Sequence, residues 1–149
     1  MSGKRKYTIL GLLTLAILWT AFIFSRSMQT GTESSEASGR LAAFLQSLLG
    51  DLPVSEYFIR KLAHFGEYLI LALPATGAVM LMRRRWLPVA AWGYAVLVAL
   101  CDEFIVQALT AGRGPRFTDV LIDSAGALTG VIAVVFAVVI LRRLRRKGY

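Results

Sequence analysis

Four apolar segments, each about 20 residues long, constrain what this chain can fold into. They cover residues 7–25, 62–82, 86–109 and 120–141. An α-helix rises ~1.5 Å per residue, so about 20 apolar residues cross the ~30 Å hydrocarbon core of a bilayer. With 56% hydrophobic and only 17% charged residues, the chain is too apolar for a soluble domain of this size. The sequence therefore predicts an all-α, four-span transmembrane helix bundle that forms a single domain over residues 1–149.

Basic residues predict the orientation of this bundle. Eleven of the 17 lysines and arginines, at residues 4–6, 83–85 and 142–147, fall on one side of a four-span model. The positive-inside rule then places both termini in the cytoplasm. The first segment follows basic residues, as a signal peptide does, but residues 24–26 offer no small-x-small cleavage site, which favours a retained span. Basic clusters at span ends have anionic lipid as their counter-charge, so the net charge of +8 does not indicate nucleic-acid binding.

The first outer connection is predicted to hold a short interfacial helix. Residues 30–38 are small and polar and are predicted to form a loop. After them, apolar side chains recur at helical spacing and share one face: Leu41, Phe44, Leu45, Leu48 and Leu49. This spacing is typical of an amphipathic helix that lies in the outer membrane interface. Ser55, followed by Glu56, is then predicted to cap a helix that runs to Met82.

The second span carries a polar face near its outer end. His64, Glu67 and Tyr68 stand at positions i, i+3 and i+4 and therefore share one side of a helix. A buried carboxylate in the hydrocarbon zone needs a partner, which makes Glu67 a candidate functional residue. The spacing alone does not decide whether His64 pairs with Glu67 or is influenced by Lys61.

Two adjacent acids stand near the outer end of the third span. Glu103 and Gln107 are at i and i+4 on one face, whereas Asp102 is rotated by ~100° in an α-helix. Glu103 is therefore assigned to the site, and Asp102 is predicted to bond a neighbouring helix or Arg113. Glycines and a proline in residues 110–118 predict a tight turn that holds Arg113 over the mouth of the helix beside Glu103.

The fourth span has a stripe of acids and glycines. Asp119, Asp123, Gly126 and Gly130 stand at i, i+4, i+7 and i+11. Small-xxx-small glycines permit close helix approach, so the stripe and its aspartates are predicted to face inward. Counted from the inner helix ends, Glu67 and Asp123 reach the same depth as the acids of the third span. One polar site is the prediction, and the alternative is that the acids only form ion pairs that stabilise the bundle.

These residues resemble a known family. The pattern Phe-Ile-Phe-Ser-x-Ser-x-Gln, then Arg-Lys-Leu-Ala-His-Phe-x-Glu-Tyr, then Asp-Glu, Gly-Arg and Asp-Val-Leu-Ile-Asp-x-x-Gly-x-x-x-Gly resembles the VanZ-like family of bacterial integral membrane proteins. The resemblance implies that the family's motif residues are Lys61, His64, Glu67, Tyr68, Asp102, Glu103, Gln107, Arg113, Asp119 and Gly126. Two positions depart from the pattern: Asp123 stands where Asn is common, and Gln107 follows Glu103 by four residues where three are expected.

The resemblance also implies a cellular context. It places the chain in the bacterial cytoplasmic membrane, and the founding member of the family is associated with resistance to teicoplanin, a glycopeptide that acts on the cell wall. It implies no settled reaction, and it leaves the cofactor unknown.

Three classes of function follow from the residues. The first is binding of an anionic lipid or lipid-linked cell-wall precursor through Arg26, Arg60, Lys61 and Arg113, with Tyr68, Asp102, Gln107 and Asp123 also lining the site. The second is a membrane-embedded hydrolase or transferase whose candidate catalytic residues are His64, Glu67, Glu103 and Asp119. In that class Glu103 or His64 is the general base, and Glu67, Glu103 and Asp119 hold any divalent cation. The third is a structural or partner-binding subunit.

Overall fold

The computed structural model describes residues 3–50, 55–82 and 87–147, and within these ranges it contains helices and no strand. The helices are α1 (Gly3–Ser27), α2 (Gly31–Leu49), α3 (Glu56–Leu81), α4 (Leu87–Cys101) and α5 (Phe117–Lys147). A π-helical turn, Asp102–Val106, and a 3-10 turn, Gln107–Leu109, continue α4. Residues 51–54 and the basic residues 83–85 lie outside the described residues.

Four helical stretches are long and apolar enough to cross a membrane, which confirms the predicted four-span bundle. They are Gly3–Ser27, Glu56–Leu81, Pro88–Leu109 and Phe117–Arg146. Many of their large apolar side chains face outward, including Leu10, Leu97 and Ile132, each more than half exposed. Outward apolar surface of this extent suits a lipid environment.

Helix α3 is the centre of the bundle and packs against α1, α2, α4 and α5. It runs opposite to α1, because the Arg5 guanidinium at the start of α1 donates to the Leu81 carbonyl at the end of α3. It runs in the same direction as α5. The buried core between the helices is rich in alanine, including Ala16, Ala72 and Ala95. Small side chains allow helices in a membrane to approach closely, so close packing replaces the hydrophobic driving force that water supplies to soluble proteins.

The glycine stripe of α5 faces α3, as predicted. A Cβ at Gly126 would overlap the Phe65 carbonyl oxygen, and one at Gly130 would lie 2.5 Å from the Leu69 carbonyl oxygen. The two helices are therefore in direct backbone contact along these two turns. This contact sets the axial register that brings Asp119 and Asp123 opposite the outer turns of α3.

The prediction of a loop over residues 30–38 is wrong, because α2 already begins at Gly31. Thr30 and Glu33 form a reciprocal cap, in which the Glu33 backbone N–H donates to the Thr30 hydroxyl at 3.3 Å and the Glu33 carboxylate accepts from the Thr30 N–H at 2.8 Å. These hydrogen bonds lower the pKa of Glu33. The satisfied helix start outweighs the weak helix propensity of the serines and glycine that follow. The predicted apolar face is present farther along α2, where Phe44 and Leu48 are exposed.

Candidate functional site

The polar residues gather at one end of the bundle, where α1 and the α4 extension end and α3 and α5 begin. We call this the polar end. Among the described residues, eight polar or charged side chains are buried there: Ser27, Ser34, His64, Asp102, Glu103, Gln107, Asp119 and Asp123. The predicted convergence of acids from several spans at one level is therefore present in the structure.

The π-helical turn Asp102–Val106 aims two adjacent acids at the same interior. Asp102 and Glu103 are both 0% exposed, and their partners lie on different elements: Asp102 bonds α1 and Glu103 bonds the loop before α5. A π turn holds one more residue than an α-helical turn. The same turn accommodates the extra residue between Glu103 and Gln107, the spacing at which the chain departs from the resembled pattern.

The hydrogen-bond donors that reach the two acids are neutral, and Asp102 Oδ1 has no partner among the described residues. The Ser27 hydroxyl of α1 donates to Asp102 Oδ2 at 2.8 Å, which confirms that Asp102 bonds a neighbouring helix. The Gln107 side-chain amide donates to both acids, with a 3.0 Å bond to Asp102 Oδ2. Glu103 Oε2 accepts from the Arg116 backbone N–H at 3.0 Å. Glu103 is thus held by the loop after α4, but through a main-chain amide.

The predicted ion pair between Arg113 and an acid of the third span is absent. Among the described residues, no carboxylate lies within 4.0 Å of the guanidinium nitrogens of Arg26 or Arg113. Arg113 belongs to the loop between the spans, and burial lowers its pKa. Arg26 and Arg113 therefore form no salt bridge with the nearby buried acids, and their charge remains available to a ligand.

His64 has its partner on α5. Its Nδ1 lies 3.3 Å from Asp123 Oδ1, so its partner is neither Glu67 nor Lys61, the two neighbours considered from the helical spacing. Glu67 is half-buried instead of enclosed and forms no ion pair with His64 among the described residues. The backbone carbonyl of Glu67 accepts from the Trp19 indole N–H at 2.8 Å, which ties α1 to this turn of α3. Tyr68 is fully buried in the core below His64.

Lys61 and Asp119 form a salt bridge between α3 and α5. The Lys61 ammonium also lies 5.0 Å from the centre of the Tyr57 ring. The predicted role of Lys61 as a free cation for a ligand is therefore not supported, because its charge is matched within the bundle. Asp119 is likewise engaged with Lys61. The structure does not group it with Glu67 and Glu103, the two residues with which it was predicted to hold a divalent cation.

Two adjoining pockets open at the polar end. The arginine pocket is lined by Arg26, Ser27, Ser34, Ser38, Arg60, Ala63, His64, Glu67 and Arg113. The lysine pocket is lined by Tyr57, Arg60, Lys61, His64, Gln107, Gly112, Arg113, Gly114, Arg116 and Asp119. Arg60, His64 and Arg113 belong to both, so the pockets are two sides of one polar cleft.

The serines of the arginine pocket were missed by sequence reasoning. Ser34 and Ser38 belong to α2, which was predicted to be a loop at these positions, and their spacing of four residues on a capped helix is the signal that would have found them. Ser27 follows Arg26 at the outer end of the first span. In the sequence it was included only in the pattern that resembles the family, and no role was predicted for its hydroxyl. The arginine pocket thus draws on α1, α2, α3 and the loop before α5.

Three buried side chains offer ligand atoms within 4.8 Å of one another: His64, Glu103 and Asp123. We call them the His-carboxylate cluster. His64 Nδ1 and both carboxylate oxygens of Asp123 are buried and have no hydrogen-bond partner among the described residues. Of the three cation ligands predicted from sequence, only Glu103 belongs to this cluster.

Comparison with known proteins places the chain in a family. No curated protein matches the chain, and no solved structure matches it. The family model described as VanZ/LLP1 matches residues 12–141, a range that reaches into all four spans and contains every residue of the polar cleft. The motif resemblance and this match agree, and the chain belongs to the VanZ/LLP1 family of multi-pass membrane proteins.

Proposed function

We propose that the polar cleft binds the anionic head group of a cell-envelope lipid, either a lipid-linked phosphate or a lipid-linked wall precursor. The observation that carries this proposal is the state of Arg26 and Arg113. Both line the arginine pocket, and neither has a carboxylate within ion-pair distance among the described residues. If the acids served only to neutralise arginines, these guanidinium groups would contact them.

Arg26 and Arg113 form no ion pair with the acids, because the acids are bonded to other donors. Asp102 accepts from Ser27 and Gln107, Glu103 accepts from Gln107 and a backbone N–H, and Asp119 is paired with Lys61. A guanidinium that is partly shielded from water and lacks a counter-ion favours an anionic ligand. Planar guanidinium groups bind phosphate oxygens with two parallel hydrogen bonds, which gives geometric selectivity as well as charge.

Arg60 contributes the third guanidinium of the arginine pocket. One of its terminal nitrogens donates to Ser35 at 2.7 Å and also pairs with Glu56. Its Nε is buried and has no partner in the described part of the chain. Arg60 is therefore oriented by its own helix and by α2 while one N–H remains to bind a ligand.

The proposal includes an orientation in which the polar end faces the outside of the bacterial cytoplasmic membrane and both termini are cytoplasmic. The distribution of basic residues supports it. Single cysteines at Thr32 and Ala111, in a chain whose exposed native cysteine is replaced (Cys101→Ala), are expected to react with an impermeant thiol reagent in intact cells, and one at Ser2 is not. Labelling at Ser2 without prior permeabilisation would reverse the orientation.

A direct binding measurement tests the head-group proposal. The purified protein in lipid nanodiscs is titrated with a polyprenyl phosphate and with the matching uncharged polyprenol. Loss of a charge-assisted contact removes roughly 1.5–3 kcal/mol, so Arg26→Gln and Arg113→Gln are each expected to weaken phosphate binding by about tenfold or more. Neither change is expected to affect binding of the polyprenol.

Arg40→Gln is the matched control for this titration. Arg40 is an exposed arginine of α2 that lines neither pocket, so its loss removes the same charge from the same end of the molecule. If Arg40→Gln and Arg113→Gln weaken phosphate binding equally, the effect is due to net charge and not to a contact in the pocket. Equal affinity for the phosphate and the alcohol in the unaltered protein would contradict the proposal.

A membrane-embedded hydrolase or transferase is the second candidate, because His64 reaches both pockets and is backed by Asp123 at 3.3 Å. An imidazole held by a carboxylate is a suitable general base. This candidate predicts release of inorganic phosphate from a polyprenyl diphosphate, and loss of that release in His64→Gln. Binding of the diphosphate without any turnover would leave the binding function alone.

A further inference from the structure

We infer that the His-carboxylate cluster, made of His64, Glu103 and Asp123, is a binding site for one divalent transition-metal ion, with Zn²⁺ and Mn²⁺ as the best matches. The cluster lies at the floor of the polar cleft, below the arginines. The inference concerns a ligand of a different class from the head group, and it does not depend on whether the arginines bind an anion.

Charge balance is the first argument. Asp102, Glu103 and Asp123 are each 0% exposed, and the donors that reach Asp102 and Glu103 are neutral: a serine hydroxyl, a side-chain amide and a backbone N–H. Beside Asp123, the basic side chain within ion-pair distance is His64. Isolated buried carboxylates are costly, so this region needs added positive charge. One divalent cation supplies it.

Unsatisfied atoms are the second argument, and they point to the same place. Asp123 Oδ2 is buried without a partner among the described residues, and Asp123 Oδ1 and His64 Nδ1 form no hydrogen bond although they lie 3.3 Å apart. Buried polar atoms normally have partners, and exceptions call for an explanation. Of the seven buried atoms without a hydrogen-bond partner among the described residues, three belong to two members of the cluster, and a metal ion would be bound by them.

The distances suit a small ion. Ligand atoms of His64, Glu103 and Asp123 all lie within 4.8 Å of one another, and His64 Nδ1 lies 3.3 Å from Asp123 Oδ1. An ion bound at about 2.0–2.2 Å from each ligand holds those ligands about 3–4 Å apart.

The ligand types select the metal. One imidazole nitrogen with two carboxylates suits Zn²⁺ or Mn²⁺, whereas Mg²⁺ and Ca²⁺ favour all-oxygen shells. Three protein ligands leave a coordination position open, as in catalytic zinc sites. His64 also lines both pockets, so the open position is expected to face the cleft.

Metal content and metal titration test the inference. The full chain, purified in detergent, is stripped with a chelator and titrated with ZnCl₂, MnCl₂ and MgCl₂, and bound metal is counted by elemental analysis. We expect one Zn²⁺ or Mn²⁺ per chain and no stoichiometric Mg²⁺. His64→Gln is expected to abolish binding, and Asp123→Asn to weaken it by roughly tenfold or more, in line with the effect of altered metal-site residues.

Glu36→Gln is the control, because Glu36 is an exposed acid of α2 outside both pockets, and its binding curve is expected to match that of the unaltered chain. Should the cluster variants fail to fold, Co²⁺ substitution in the unaltered chain reports the site directly through ligand-field absorption with nitrogen and oxygen donors. A chain that binds neither Zn²⁺ nor Mn²⁺ stoichiometrically, or whose Asp123→Asn variant binds them unchanged, would overturn the inference. Head-group binding is measured separately with polyprenyl phosphate in chelator, so the failure of one idea is distinguishable from failure of the other.

Discussion

Replacing Gly126 with alanine is the sharpest test of how the site is built. A Cβ at Gly126 would lie 2.9 Å from the carbonyl carbon of Phe65, which is 0.5 Å short of the 3.4 Å at which ordinary contact begins, and the carbonyl oxygen is closer still. The obstacle is backbone, so no side-chain rotation relieves it and α5 has to move away from α3. Overpacking of this kind costs about 1–3 kcal/mol.

The displacement would reach the site as well as the fold. Asp123 lies one turn before Gly126 on α5, and its 3.3 Å approach to His64 spans the same helix interface. Gly126→Ala is therefore expected to lower the thermal midpoint in detergent by roughly 3–10 °C and to weaken any binding that uses both helices.

Gly66→Ala is the matched control for this substitution. Gly66 is the residue next to Phe65 on α3, and a Cβ there meets nothing within 4 Å. Alanine in a helix interior is favoured over glycine by about 1 kcal/mol, so this variant is expected to be at least as stable as the unaltered chain. If Gly126→Ala unfolds at the same temperature as Gly66→Ala, the direct backbone contact between α3 and α5 is refuted.

Three further expectations rest on single interactions, each measured by thermal unfolding in detergent. Ser27→Ala removes one hydrogen-bond donor from the fully buried Asp102 carboxylate and is expected to lower the free energy of unfolding by about 1–3 kcal/mol. An unchanged thermal midpoint would contradict the hydrogen bond between Ser27 and Asp102. Lys61→Met leaves Asp119 buried and unpaired, so the double change with Asp119→Leu is expected to recover stability that the single change loses; no recovery would argue against the pair. The folded-state pKa of Glu33 is below its ordinary value of 4.5. The helix cap that Glu33 forms therefore stabilises the fold above that pH, and this stabilisation is lost as the pH falls through the lowered pKa. The unaltered chain is expected to have a higher thermal midpoint than Glu33→Ala at neutral pH, and this difference should vanish in acid.

The spans and the facing of α5 were predictable from sequence because they depend on local patterns. Apolar length identifies a span, and the repeat of Gly126 and Gly130 four residues apart identifies the face that meets another helix. Asp123 inherits its inward direction from the same stripe. These features are properties of one helix at a time, and the structure confirms them.

Pairings between spans were not predictable, since they depend on axial register. Helical spacing puts Glu67 one turn from His64, but the contact between α5 and α3 brings Asp123 nearer to it. The π turn Asp102–Val106 was not predictable either, because no residue propensity indicates it. The one visible trace was the extra residue between Glu103 and Gln107.

The start of α2 was predictable in principle. Thr30 and Glu33 are spaced as a capping box, but the serines and glycine after them were given more weight. Once α2 is recognised as helical from Gly31, Ser34 and Ser38 fall on one side of it and the fourth wall of the arginine pocket follows.

The backbone contact between α3 and α5 divides the polar end into a fixed frame and a cover. Sliding of one helix past the other is blocked by the ridge of carbonyls that Gly126 and Gly130 touch, so the frame that carries His64 and Asp123 keeps its shape. The cover is made of the 110–116 loop and α2, which are fastened together where the Gly31 N–H donates to the Ala111 carbonyl at 3.0 Å. Arg113 and the serines of α2 therefore lie on two segments that are joined directly, so the two walls of the arginine pocket that they form are coupled through this hydrogen bond.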